Sequence, residues 1–153
     1  MKKTLLNQND KAEIIERLRR LRTDSARRWG KMTAHQAICH LNDSFKCKTG
    51  ERETSRTDNW FTRSIMKWTA LQSPLPWPHG IKTMPEFDQQ IGGTPPEDFE
   101  RDRIQLEAMI EAFSHSSELT PSQPHPIFGQ MTKAEWMRWG YLHCDHHLRQ
   151  FGV

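Results

Sequence analysis

The sequence predicts an all-α fold, a bundle of four main helices with one long crossover between the second and third. Three observations predict it. A threonine stands three residues before a Gln or Glu at Thr33/Gln36, Thr94/Glu97 and Thr132/Glu135. At that spacing the threonine caps a helix while the Gln or Glu reaches back to the cap's own N–H. Apolar residues behind these caps recur every three to four positions, the helical period. No segment shows the apolar–polar alternation of a half-buried strand.

Each element can then be justified in order. The first helix is expected over about 10–21, where Ile14, Leu18 and Leu21 repeat at helical spacing with Arg and Lys opposite. The second begins at the Thr33 capping box. Ala34, Ile38, Leu41 and Phe45 form its apolar stripe, and Gly50 is a natural stop. The crossover, 51–93, should hold a short helix over about 59–71 carrying Trp60, Phe61, Ile65 and Trp68. The run Pro74-Leu75-Pro76-Trp77-Pro78 after it cannot be regular helix or central strand. The third helix is expected from the Thr94 box, with Pro95 at its first position. Phe99, Leu106, Ile110 and Phe113 mark its buried face, and it should end near His115. An irregular stretch over 116–131 holds Pro121, Pro124 and Pro126. The fourth helix runs from the Thr132 box to about Gln150, with Trp136, Gly140, His143 and His147 on one inward face.

Length and composition bound the class. The 153 residues suggest a single domain, 1–153. Mean hydropathy is low, at −0.85. Six Trp, seven Phe and seven Met nevertheless supply enough large apolar side chains for a core. The net charge of +3, from 22 basic and 19 acidic residues, demands no anionic partner. Arg17, Arg19, Arg20, Arg22, Arg27, Arg28 and Lys31 form a basic cluster, but Glu13, Glu16 and Asp24 interrupt it. It reads as a solvated face rather than a nucleic-acid surface. No apolar run follows Met1-Lys2-Lys3, so no signal peptide is expected, and no apolar run is of membrane length. Three cysteines, Cys39, Cys47 and Cys144, fit free thiols in a reducing cytoplasm.

The chemistry is concentrated in His143-Cys144-Asp145-His146-His147-Leu148-Arg149-Gln150. His143 and His147 are four apart, so in a helix they share a face and can hold one metal ion. His40, in the second helix, is the best third ligand, whereas His35 points away from it. Imidazole ligation suits a divalent transition metal: zinc, nickel, iron or copper. His146 is an alternative partner of His143 at i, i+3. Gln36, Asp43, His146 and Gln150 lie within a turn of a ligand and are candidates to orient an imidazole. Cys47 and Cys144 are by default small buried hydrophobes, and as a fourth ligand either would close the site. His125, in a loop before a proline, is expected to be structural.

The segments Thr33-Ala34-His35-Gln36-Ala37-Ile38-Cys39-His40-Leu41 and 143–150 together resemble the DinB/YfiT-like superfamily of metalloenzymes. Trp29-Gly30-Lys31-Met32, His125-Pro126-Ile127-Phe128-Gly129, Thr132 and Trp136 resemble an uncharacterised branch of it, so the similarity covers about 18–152. The resemblance implies a four-helix bundle whose metal ligands are His40, His143 and His147. It also implies thiol transfer to an electrophile using a low-molecular-weight thiol of the bacillithiol or mycothiol kind, and a homodimer.

A divalent ion held only by neutral imidazoles keeps its full charge, which lowers the pKa of bound water or thiol. The expectation is therefore a metal-dependent enzyme acting on a small molecule. Thiol transfer is placed slightly ahead of hydrolysis by a metal-bound hydroxide. A structural ion tying the second and fourth helices together is the non-catalytic alternative. An exchangeable position and an adjoining cavity would mark a catalytic site. The aromatic crossover, Trp60, Phe61, Trp68 and Trp77, either walls a pocket over the metal or covers core.

Overall fold

In the computed structural model, which describes residues 2–115 and 124–153, every regular element is helical. There are five α-helices and no strand among the described residues. One isolated bridge joins His125 and Gly129. The expected loop residue Pro121 lies outside the described residues.

Helix α1, Gln8–Arg20, begins two residues earlier than the apolar spacing suggests, because Asn7 caps it. The Asn7 side chain accepts the N–H groups of Asn9 and Asp10 at 2.9 and 3.2 Å. Helix α2, Ala34–Thr49, has the predicted capping box and stops at Gly50, which takes the left-handed conformation at φ 80°. The crossover helix starts at Trp60, passes through a π-helical turn, Thr62–Met66, and continues as α3, Lys67–Gln72. A single 3-10 turn, Pro85–Phe87, follows the proline run.

Helix α4, Phe99–His115, corrects the sequence reading at its start. Thr94 is no cap: its N–H and hydroxyl both go to Asp43, at 2.8 and 2.6 Å. Pro95 precedes a second proline, which disfavours helical backbone there. Asp98 opens the helix instead, accepting the Arg101 N–H at 2.9 Å. Helix α5, Lys133–Gln150, matches the prediction, with its capping box formed.

The four long helices make a closed circuit of contacts: α1 against α4 and α5, and α2 against the same two. Their apolar stripes meet in one core that includes Ile14, Leu18, Ile38, Phe45, Leu106, Ile110, Met137 and Leu148. Burying each such side chain contributes about 1.5–3 kcal/mol before chain entropy is charged against it. Phe45 contacts Phe113 and Trp139 edge-on, with ring centroids 5.0 and 5.8 Å apart. Gly140 keeps this crossing tight, since a Cβ there would lie 2.7 Å from Leu5 Cδ1.

The crossover packs over one end of the α2–α5 pair: the 3-10 turn contacts α2, and α3 contacts α5. Buried Asp43 holds the chain after that turn. Its carboxylate accepts from Arg52, Gln89 and Thr94 at 2.6–3.1 Å. Arg17 departs from the solvated-face reading: it is buried and donates to Asp145 at 2.8 Å, tying α1 to α5. No helix among the described residues is long and apolar enough to cross a membrane.

Candidate metal centre

Helices α2 and α5 bring together the three histidines singled out by sequence. One ring nitrogen from each of His40, His143 and His147 lies within 4.8 Å of the other two. The rings have centroids 4.7–5.1 Å apart, and His40 Nε2 is 3.0 Å from His143 Nε2. His40 and His147 are buried, while His143 stays partly accessible.

Two of the three imidazoles have fixed protons. His40 Nδ1 stands 2.9 Å from the Phe87 carbonyl, which can only accept, so Nδ1 carries the hydrogen and Nε2 a lone pair. His147 Nδ1 stands 3.0 Å from Gln150 Oε1. That amide is itself oriented, because Gln150 Nε2 donates to the Trp29 carbonyl at 2.9 Å. His147 therefore also presents its Nε2 lone pair. Gly30 allows this approach: its φ is 77°, and a Cβ there would lie 2.6 Å from Gln150 Nε2. His143 Nδ1 is buried without a protein hydrogen-bond partner among the described residues.

Burial makes these rings reluctant to take a proton. It lowers the pKa of His40 against an opposing hydrogen bond to Phe87. It drives His143 well down, with further lowering from His40 and His147. His147 is pushed well down by burial and by His40. All three are thus neutral near pH 7, the state a metal ion requires.

The orienting residues proposed from sequence divide. Gln150 orients His147. Gln36 instead closes the α2 capping box, accepting the Thr33 N–H at 2.9 Å. Asp43 is bound to the crossover rather than to an imidazole. His146 is half-buried against Trp29, Trp77 and His79, and burial followed by Arg149 lowers its pKa to about 4. It is not in the converging trio. Neither is Cys47, which pairs with Thr54 Oγ1 at 3.4 Å, nor Cys144, whose thiol burial lifts to about 12. His125 is buried, and its Nδ1 accepts the N–H groups of Ile127 and Phe128, both at 3.2 Å, which holds its own loop; the ring also lines the cavity beside the trio. The Phe87 carbonyl was missed by sequence reasoning, because a backbone acceptor leaves no mark in residue identity.

A second trio, His35, Cys39 and Asp102, also converges between α2 and α4. These groups satisfy one another. His35 Nε2 is 2.8 Å from Asp102 Oδ2, and the Cys39 thiol donates to the same oxygen at 3.6 Å. His35 points away from His40, as its spacing predicted.

A cavity of about 550 Å3 opens beside the first trio. His40, His143, His146 and His147 line it together with Trp77, Phe87, Phe128, Trp136 and Trp139. Of Trp60, Phe61, Trp68 and Trp77, the last alone lines it, joined from the crossover by Phe87. Trp60, Phe61 and Trp68 are exposed, at 75%, 50% and 67%, so they neither wall the pocket nor cover core.

A family profile described as a protein of unknown function (DUF1569) matches residues 1–152. No curated protein and no solved structure matches the chain.

Proposed function

We propose that this chain, which belongs to the DUF1569 family, is a metal-dependent enzyme acting on a small molecule. In this reading it is a one-domain four-helix bundle of the DinB/YfiT-like kind. The observation that carries the proposal is three neutral imidazoles converging at the wall of a cavity large enough for a substrate. The donor set fits an ion: His40 and His147 already present Nε2 lone pairs held in place by Phe87 and Gln150. Three protein ligands beside a cavity is the pattern of a catalytic site rather than a closed structural one.

A divalent ion bound there would supply Lewis acidity, to activate either a thiol or a carbonyl-type electrophile. The chain's own residues do the rest. The Phe87 carbonyl and Gln150 orient the imidazoles, and the aromatic wall gives the substrate side an apolar surface. Thiol transfer and hydrolysis are the two reaction classes this arrangement supports.

The test is elemental analysis of protein purified without a metal-affinity column, followed by a panel of small thiols and ester or epoxide electrophiles. One equivalent of zinc, nickel, iron or copper and metal-dependent turnover are the expected results. Thiol-dependent product marks transfer, and thiol-independent product marks hydrolysis. A protein that takes up no stoichiometric metal on reconstitution overturns the reading.

A further inference from the structure

The walls of the cavity say which molecules it admits. Among the described residues that line it there is no carboxylate and no arginine, and Lys82 is the one formal charge. The remaining wall is largely apolar, with Met66, Leu75, Trp77, Met84 and Phe87 contributed by the crossover. Trp77 offers no spare donor to a ligand, because its Nε1 donates to the Ala70 carbonyl at 2.8 Å. That bond also fixes the indole near His143, with ring centroids 5.8 Å apart. Trp139 approaches the same imidazole at 5.0 Å. Besides the histidines and Lys82, only the Cys47 thiol and the hydroxyls of Ser44, Thr69, Ser73 and Thr83 add polar side chains to the lining, so most of a ligand's body meets carbon.

Transfer of a carboxylate or ammonium from water onto such a wall is unfavourable unless a partner charge is waiting. Away from the ion, one lysine can answer one anion. The cavity's volume of about 550 Å3 falls in the range of small-molecule sites.

We propose that this cavity takes a small molecule with an apolar body and, beyond the group that meets the ion, at most one negative charge, and that it disfavours multiply charged thiols of the glutathione kind. The proposal builds on the metal-centred reading by naming its substrate class. A thiol co-substrate, where the reaction uses one, is then an uncharged or singly charged thiol.

The experiment titrates metal-free and zinc-loaded protein with the neutral naphthalene dye 6-propionyl-2-(dimethylamino)naphthalene. Dye emission and tryptophan quenching report binding, and zinc content is measured on the same samples. One site with a Kd of about 10 μM or tighter is expected in both forms. In the metal-free form, glutathione at about a hundredfold excess over that Kd should fail to compete. Met84→Glu, which places a carboxylate in the wall, should weaken the dye at least about tenfold while zinc content stays unchanged. Leu75→Glu, at a position 72% exposed, makes the same change where folding tolerates it and serves if Met84→Glu does not fold. Dye that fails to bind, binds both variants as tightly as the parent, or is displaced by glutathione from metal-free protein overturns the assignment. Dye binding with these losses in a protein that takes up no zinc sinks the metal reading and leaves the cavity assignment standing.

Discussion

Replacing His143 by alanine separates a metal ligand from a buried histidine that merely fills space. His143 is the third member of the trio, 3.0 Å by its Nε2 from His40 Nε2. Structural zinc sites with four ligands bind with apparent free energies of about 10–16 kcal/mol, so one ligand carries about 2.5–4 kcal/mol. Losing it should therefore weaken zinc by about two to three orders of magnitude. The fold should survive. His143 is only partly buried, its Nδ1 has no protein partner among the described residues, and alanine is a better helix former in α5. The unfolding cost in metal-free protein should stay below about 2 kcal/mol. The assay is zinc competition against a chromophoric chelator, with far-ultraviolet circular dichroism as the folding control. His146→Ala is the matched comparison, being the neighbouring imidazole outside the trio, and should leave the zinc Kd within about threefold. Unchanged zinc affinity in His143→Ala, or an equal loss in His146→Ala, would refute the reasoning.

The remaining predictions follow from the same contacts. Gln150→Leu removes the acceptor that orients His147 and should cost about 10–100-fold in zinc affinity without removing a ligand; the same competition assay checks it. His125 has its pKa lowered by burial from 6.5 to about 3, so the unfolded chain binds a proton that the folded one refuses between those values. Stability from this group is full above pH 6.5 and falls on acidification, by about 2 kcal/mol between pH 7 and pH 5. His125→Asn, whose side-chain oxygen can still accept from Ile127 and Phe128, should flatten that part of the pH dependence; chemical denaturation at the two pH values measures it. Arg52→Ala leaves the fully buried Asp43 carboxylate without its cation and should cost about 3 kcal/mol. Because the same network holds the chain next to Phe87, zinc affinity should fall too, whereas a Tm unchanged within error would contradict the network's role.

How much was legible beforehand varies with the kind of interaction. Helices α2 and α5 could be read almost to the residue, because their capping boxes and stripes are local signals that the tertiary structure had no reason to override. The start of α4 was misread because the same Thr–x–x–Glu spacing occurs before the helix. There Asp43, more than fifty positions earlier, takes both groups of Thr94. The trio His40, His143 and His147 was nameable from the i, i+4 spacing together with the family resemblance. Its orienting partners were only half so: Gln150 sits one turn from His147, but Phe87 reaches His40 through a carbonyl that every residue possesses.

By itself the sequence determined the helical character of the chain, the faces its long helices bury and the shared face of His143 and His147, all properties of side-chain type at short spacing. Only the tertiary structure decided that those rings share one point, that a cavity opens beside them, and that Trp77 rather than Trp60 or Trp68 forms its wall. The physical reason is that a helical period fixes which side chains share a face. What that face meets depends on where a proline-rich crossover with no period of its own comes to rest.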